Sequence, residues 1–224
     1  RYVRNFDTFL QKRGCKGNTR KYYFKALRAI LNQAKREGVG SEAAYPFVKG
    51  GFEIAKLEEA TEKRYLPPQD LQKLKDTPAQ NPQNEYARQL FLFSYYCYGM
   101  SFVDMAYLTT DHIQRLADGN YIVYKRNKIK HQKNATAIRI HITPEIQGTA
   151  ETASPTVENY LLPIITCSGY TGEKLYNHIR SRYAKYQKYL KSLAEELGID
   201  YHLTSYVSRH TMAMTLQYNK IPRE

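Results

Sequence analysis

Apolar positions recur at steps of three and four through most of this sequence, the period of an amphipathic helix, and at steps of two in one stretch only. Tyr2, Phe6, Phe9 and Leu10 predict a first helix, ended by a turn from Gly14 to Asn18. Asn18 or Thr19 is placed to cap a second helix running to about Glu37, with Tyr23, Phe24, Leu27, Ile30, Leu31 and Ala34 as its apolar face. Residues 38–68 are punctuated by Gly38, Gly40, Pro46, Gly50, Gly51 and the pair Pro67-Pro68, which mark a hinge, with 52–57 as a short strand or extended segment. A first-turn proline then opens a helix over 69–75. A strongly apolar helix over 85–98 is stopped by Gly99, and Ser101 to Asp104 has the form of a capping box that starts a short helix over 102–108.

The period changes between 119 and 142. Ile122 and Tyr124, then Ile138, Ile140 and Ile142, alternate with polar residues and predict a β-hairpin with its tip over 127–136. Residues 143–172 read as loop, with 157–165 either a short helix or a buried strand. Ile179, Tyr183, Tyr186, Leu190, Leu193 and Leu197 then predict a long helix over 174–197, either a coiled-coil seam or a buried helix of a globular domain. Gly198 stops it, and a last helix begins at Ser205 as its cap and runs to Leu216, with Val207, Met214 and His210 towards one face and Arg209 about a quarter-turn round. The fold class is therefore mainly α with a small antiparallel β-hairpin (α+β), in two domains: a helical one over 1–60 and a larger one over 61–224.

Charge adds a direction to this outline. The 224 residues carry a net +13, with +7 in residues 1–60, −1 in 61–111 and +7 in 112–224. Two basic lobes around a neutral middle suit a two-part clamp on nucleic acid better than a basic tail does. In the second helix Lys21, Lys25, Arg28, Asn32 and Lys35 form a stripe with no acidic partner in it, either a solvated face or a set of phosphate contacts. The hairpin tip holds Lys128, Lys130 and Lys133, a poor way to stabilise a turn and a good way to reach a groove. Arg209 is the remaining candidate, an always-charged fork matched to phosphate, with a surface arginine as the plain alternative.

Several classes drop out. No segment approaches the roughly 20 apolar residues of a membrane span, and no secretory leader is read at the start of the sequence. Cys15, Cys97 and Cys167 have neither disulfide nor metal spacing, which fits a reduced cytoplasm. No nucleotide-binding loop, zinc motif or hydrolase elbow is present, so neither metal nor cofactor is expected.

Three segments in order resemble the tyrosine recombinases, or phage-type integrases, especially those of conjugative and mobilisable transposons. LFLFSYYCYGMSFVDMAYL over 90–108 is similar to the family's first catalytic box, YKRNK over 124–128 to its lysine-bearing turn, and SYVSRHTMA over 205–213 to its second arginine box. The stretch 18–38, with Pro46-Phe47 and TEKRYL over 61–66, is similar to the SAM-like core-binding domain and its linker. The resemblance implies a helical core-binding domain and a catalytic domain closing on double-stranded DNA. It also implies strand transfer through a 3′-phosphotyrosine and assembly of a homo-tetramer on DNA. Carried over residue by residue, Arg209 is the second arginine, Lys128 is the general acid with Lys130 and Lys133 as alternatives, Asp104 is a structural acid, and His210 is a packing residue.

The resemblance also has departures. Tyr98 stands where a first catalytic arginine is expected, and Tyr206 where a histidine is usual. The third box and the nucleophilic tyrosine would lie beyond Glu224, so residues 1–224 by themselves are expected to bind DNA without cutting it. Two other readings stay open: a recombinase-derived DNA-binding protein with lost or reduced catalysis, and a basic helical protein that binds RNA or an acidic partner.

Overall fold

Phe24 is fully buried and organises the first of two units, Arg1–Glu62 and Lys63–Glu224, into which the chain divides. The computed structural model describes residues 1–61, 64–152 and 156–221. In the first unit α1 (Tyr2–Lys12) and α2 (Gly17–Arg36) close on a core of Val3, Leu10, Phe24 and Ile54. The Phe24 ring meets Phe6 edge-on at 5.6 Å and Phe52 at 4.4 Å, contacts that add to the burial itself. Asp7 on α1 holds the Arg20 guanidinium of α2 at 2.8 Å.

The expected side-chain cap of α2 does not form. Lys16 is the N-cap residue and bonds nothing with its side chain. Asn18 turns instead to the end of the unit, donating to the Glu59 carbonyl at 2.7 Å and accepting the Glu59 N–H at 3.2 Å. The Glu59 carboxylate in turn takes the Gly17 N–H at 2.9 Å. A free donor of the first turn is thus satisfied by a residue 42 positions along the chain, which no local capping pattern shows. The segment over 52–57 is also corrected: Ile54–Leu57 is a 3-10 turn that buries Ile54, with Phe52 and Leu57 packed beside it on the same core. The apolar face of α2 is narrower than its period implies, with Tyr23 and Ile30 exposed.

The second unit is built round α4 (Pro82–Tyr96), whose Ala87, Leu90, Phe91, Phe93 and Tyr95 are all buried. A helix apolar on every side must be covered on every side, and α6 (Pro144–Thr152), α7 (Gly172–Glu196) and α8 (Ser205–Tyr218) cover it. Its start lies earlier than the apolar run suggests, because Asn81 caps it by accepting from the Gln83 N–H at 2.8 Å with Pro82 next in line. Before it, α3 (Pro68–Asp76) is held by Arg88. The buried guanidinium of Arg88 donates to the Leu74 carbonyl at 2.7 Å and pairs with Glu85 at 2.7 Å. In α7 the buried Ile179, Tyr186, Leu190 and Leu193 face this core, so the seam is that of a buried globular helix.

The β element is larger than a hairpin. Three antiparallel strands run in the order β1 (Ile113–Leu116), β2 (Gly119–Tyr124) and β3 (Ile138–His141). Ile122 lies opposite both Ile113 and Ile140, and Tyr124 opposite Ile138. β1 is invisible to a period-two reading because Gln114, Arg115 and Leu116 are all exposed. Two more corrections follow. α6 occupies part of the expected loop, anchored by little more than Ile146, and 157–165 forms neither helix nor strand beyond a single bridge from Tyr160 to Thr109. Finally, Thr204 and not Ser205 precedes α8, and the Ser205 N–H is taken by the Gln187 side chain of α7 at 2.9 Å.

Candidate functional site

The site forms where α4 stops. Tyr98 and Gly99 are both left-handed, at φ 55° and 74°, which reverses the chain within two residues. Ser94 fastens the reversal: its carbonyl accepts the Gly99 N–H at 2.7 Å, and its hydroxyl donates to the Met100 carbonyl at 2.8 Å. The same hydroxyl meets the Ser208 hydroxyl of α8 at 2.8 Å, one residue before Arg209. Gly99 and Arg209 are pressed so close that a Cβ on the glycine would lie 2.6 Å from the Arg209 Cα. A polar pair and a missing side chain therefore set the arginine at the corner.

The corner then runs into α5 (Phe102–Ala106), and Asp104 ties it to the sheet. This carboxylate is buried, and both its oxygens are used: one accepts the Ser101 hydroxyl at 2.7 Å, the other the Asn127 N–H at 2.7 Å. The end of β2 is thereby fixed against the corner. Between them lies a pocket of about 90 Å³ lined by Tyr98, Gly99, Asp104, Tyr124, Arg126 and Arg209, among others. Burial and the nearby Asp104 push the Tyr124 phenol up to about 12, with Arg126 and Arg209 opposing the rise. At neutral pH the Tyr124 phenol therefore keeps its proton, beside the guanidiniums of Arg126 and Arg209.

Of the catalytic candidates, Tyr98 and Arg209 line this pocket. Lys128 does not, although it lies two residues past Arg126 and is exposed. Lys130 sits over the Tyr107 ring at 5.2 Å, and Lys133 is exposed. Tyr206 is mostly exposed and stands outside the pocket, its ring edge-on to His210 at 4.7 Å. The residue that sequence reasoning passed over is Arg126. It lies inside the YKRNK stretch, two residues past the end of β2, and that it lines the same pocket as Arg209 shows only in three dimensions.

The basic stripe of α2 needs a correction. Lys21 pairs with Glu58 at 2.5 Å, and Lys35 with Glu42 at 2.7 Å while lying over the Tyr45 ring. Asn32 accepts from the Tyr45 hydroxyl at 2.5 Å. The stripe holds no acid of its own, but residues after the helix fold back and supply two. Lys21 holds the Glu58 carboxyl below the usual range, and Lys35 does the same for Glu42. Lys25 and Arg28 are exposed and make no ion pair among the described residues, so they are the stripe's available cations.

Among the described residues no group of three His, Cys, Asp or Glu is placed to hold a metal ion, and no helix is long and apolar enough to cross a membrane. Residues 1–53 match the family of the phage integrase SAM-like domain. A solved structure of the Tn1549 transposon integrase in complex with circular intermediate DNA shares the fold of the whole chain. Its TM-score is 0.61 at 13% identity, over 98% of this chain and 73% of that one. No curated protein matches the sequence. The likeness to the phage integrase SAM-like family thus lies within the first unit, and the chain as a whole has an α+β fold like that of the Tn1549 integrase.

Proposed function

We propose that this chain is the DNA-binding and strand-transfer body of a site-specific recombinase that integrates or recombines a mobile element. The observation that carries the reading is Arg209: a guanidinium with no ion pair among the described residues, held by packing against Gly99 at a small pocket it shares with Arg126. Unpaired cations on a rigid frame cost little reorganisation when an anion arrives, which favours binding a charge that builds during reaction.

In the proposed reaction a tyrosine hydroxyl attacks the scissile phosphorus as the bond to the 5′-oxygen breaks. Arg209 holds the non-bridging oxygens, and Lys128, exposed two residues past Arg126, gives a proton to the leaving 5′-oxygen. A 3′-phosphotyrosine and a free 5′-hydroxyl result, and the reverse sequence rejoins strands. Each unit offers its own cations to duplex DNA: Lys25 and Arg28 from the first, and Lys128, Lys130 and Lys133 from the second. Four copies on two duplexes would complete the assembly, within the cytoplasm.

Duplex binding by the chain is expected to weaken steeply with salt, with a log–log slope of about −3 or steeper. The Lys25→Ala/Arg28→Ala pair should flatten that slope by about one to two, whereas Lys21→Ala/Lys35→Ala should change it less, since those lysines already neutralise Glu58 and Glu42. A gel-shift titration that shows no complex, or one indifferent to salt, refutes the proposal.

A second reading, a DNA-binding protein derived from a recombinase, is favoured by Tyr98 at the place expected of an arginine. The two part on a nicked suicide duplex offered to a polypeptide that continues past Glu224 and carries the nucleophilic tyrosine. A covalent protein–DNA adduct supports the recombinase, and binding without an adduct supports the derived regulator.

A further inference from the structure

The pocket at the end of α4 receives two guanidiniums, and so far only one has a role. We propose that Arg126, from the end of β2, supplies the second phosphate-binding guanidinium that the position of Tyr98 lacks. The proposal rests on the reading of Arg209 as a ligand of the scissile phosphate.

Arg126 and Arg209 enter one pocket of about 90 Å³ from different elements. Among the described residues neither forms an ion pair, although both are half-buried. The one carboxylate of the pocket, Asp104, has its two oxygens occupied by the Asn127 N–H and the Ser101 hydroxyl. Two like charges facing one small space repel each other, and an anion between them turns that repulsion into attraction.

Position and chemistry agree. The bond from Asn127 to Asp104 fixes the backbone one residue after Arg126, so its guanidinium is presented from an anchored point at the root of the lysine-rich tip. A guanidinium brings five donors and a permanent charge, whereas the Tyr98 phenol offers one donor and none. Arg126 touching the transferred phosphate would be a catalytic residue, with Asp104 a positioning residue that acts through it.

The test follows the Nε–H signals of Arg126 and Arg209 by ¹⁵N NMR while the chain is titrated first with inorganic phosphate and then with a short duplex. Both signals should move with one shared midpoint for each ligand. Arg126→Gln should raise the midpoint read at Arg209 by about tenfold to a hundredfold, the loss of a charge-assisted contact, and Arg126→Lys by less. Tyr98→Arg placed in the Arg126→Gln chain should lower it again. Thermal melting checks that each variant is folded; if the glutamine variant melts early, the lysine variant carries the comparison. If Arg209 moves while Arg126 stays still, and its midpoint ignores the substitution, the assignment of Arg126 is wrong and the reading of Arg209 survives. If neither signal moves, both are wrong. If phosphate binding responds to Arg126→Gln but duplex binding does not, the pocket is a free-phosphate site and the DNA role of Arg126 fails.

Discussion

Gly99→Ala is expected to destabilise the second unit by about 2–4 kcal/mol and to push Arg209 out of its place. Two costs combine. Gly99 has φ 74°, a left-handed conformation that costs an L-residue roughly 1–2 kcal/mol. The added methyl would also stand 2.6 Å from the Arg209 Cα and Cγ and 2.7 Å from its Cβ, an overlap with backbone that typically costs about 1–3 kcal/mol to relieve. The backbone has little room to yield, because Ser94 holds both sides of the contact through the Gly99 N–H and the Ser208 hydroxyl.

Urea denaturation is the measurement, read as a lower midpoint at unchanged slope. Tyr98 provides the internal comparison. It shares the left-handed backbone at φ 55°, which a glycine adopts without strain, so Tyr98→Gly should stabilise the corner by up to about 1 kcal/mol. A Gly99→Ala change within about 0.5 kcal/mol of the parent would mean that α8 can slide, and the corner would then not be what positions Arg209.

How much of this was legible in the sequence depends on where each residue's partner lies. The α2, α4, α7 and α8 helices follow from their own apolar period, since burial of one face is written locally. Arg209 could be singled out from the helix its neighbours suggest, and Tyr98 because the resemblance to the integrases expects an arginine in its place. Other features depend on distant partners. Lys21 and Lys35 look like free cations until Glu58 and Glu42 fold over them, and Asn18 looks like a cap until Glu59 arrives. β1 shows no alternation because it presents mostly exposed residues on a sheet edge, and α6 has few apolar residues to mark a face. Arg126 is the most instructive case. Its residue type was visible, but its direction is set by the pairing of Tyr124 with Ile138 and by the bond from Asn127 to Asp104, both long-range events.

The separateness of the two units leads to the other large effect. Phe24→Ala is expected to remove about 3–5 kcal/mol from the first unit, the usual cost of emptying a phenylalanine site in a core. A unit of 62 residues, Arg1–Glu62, has a total stability of roughly 3–9 kcal/mol at typical values per residue, so the loss is a third or more of the whole. Phe24 is fully buried, and Phe6 and Phe52 both rest on its ring, so its removal undoes the contacts that close α1 on α2. The second unit has its own core round α4, with no member in common. Amide exchange should therefore show protection lost over α1 and α2 and kept in α4 and α7. Duplex binding should weaken as Lys25 and Arg28 lose their frame, with a shallower salt slope, while the pocket of Arg126 and Arg209 keeps its response to phosphate. A single transition that shifts as a whole would show instead that the two cores share their stability, and the division of DNA contacts between two independent units would have to be abandoned.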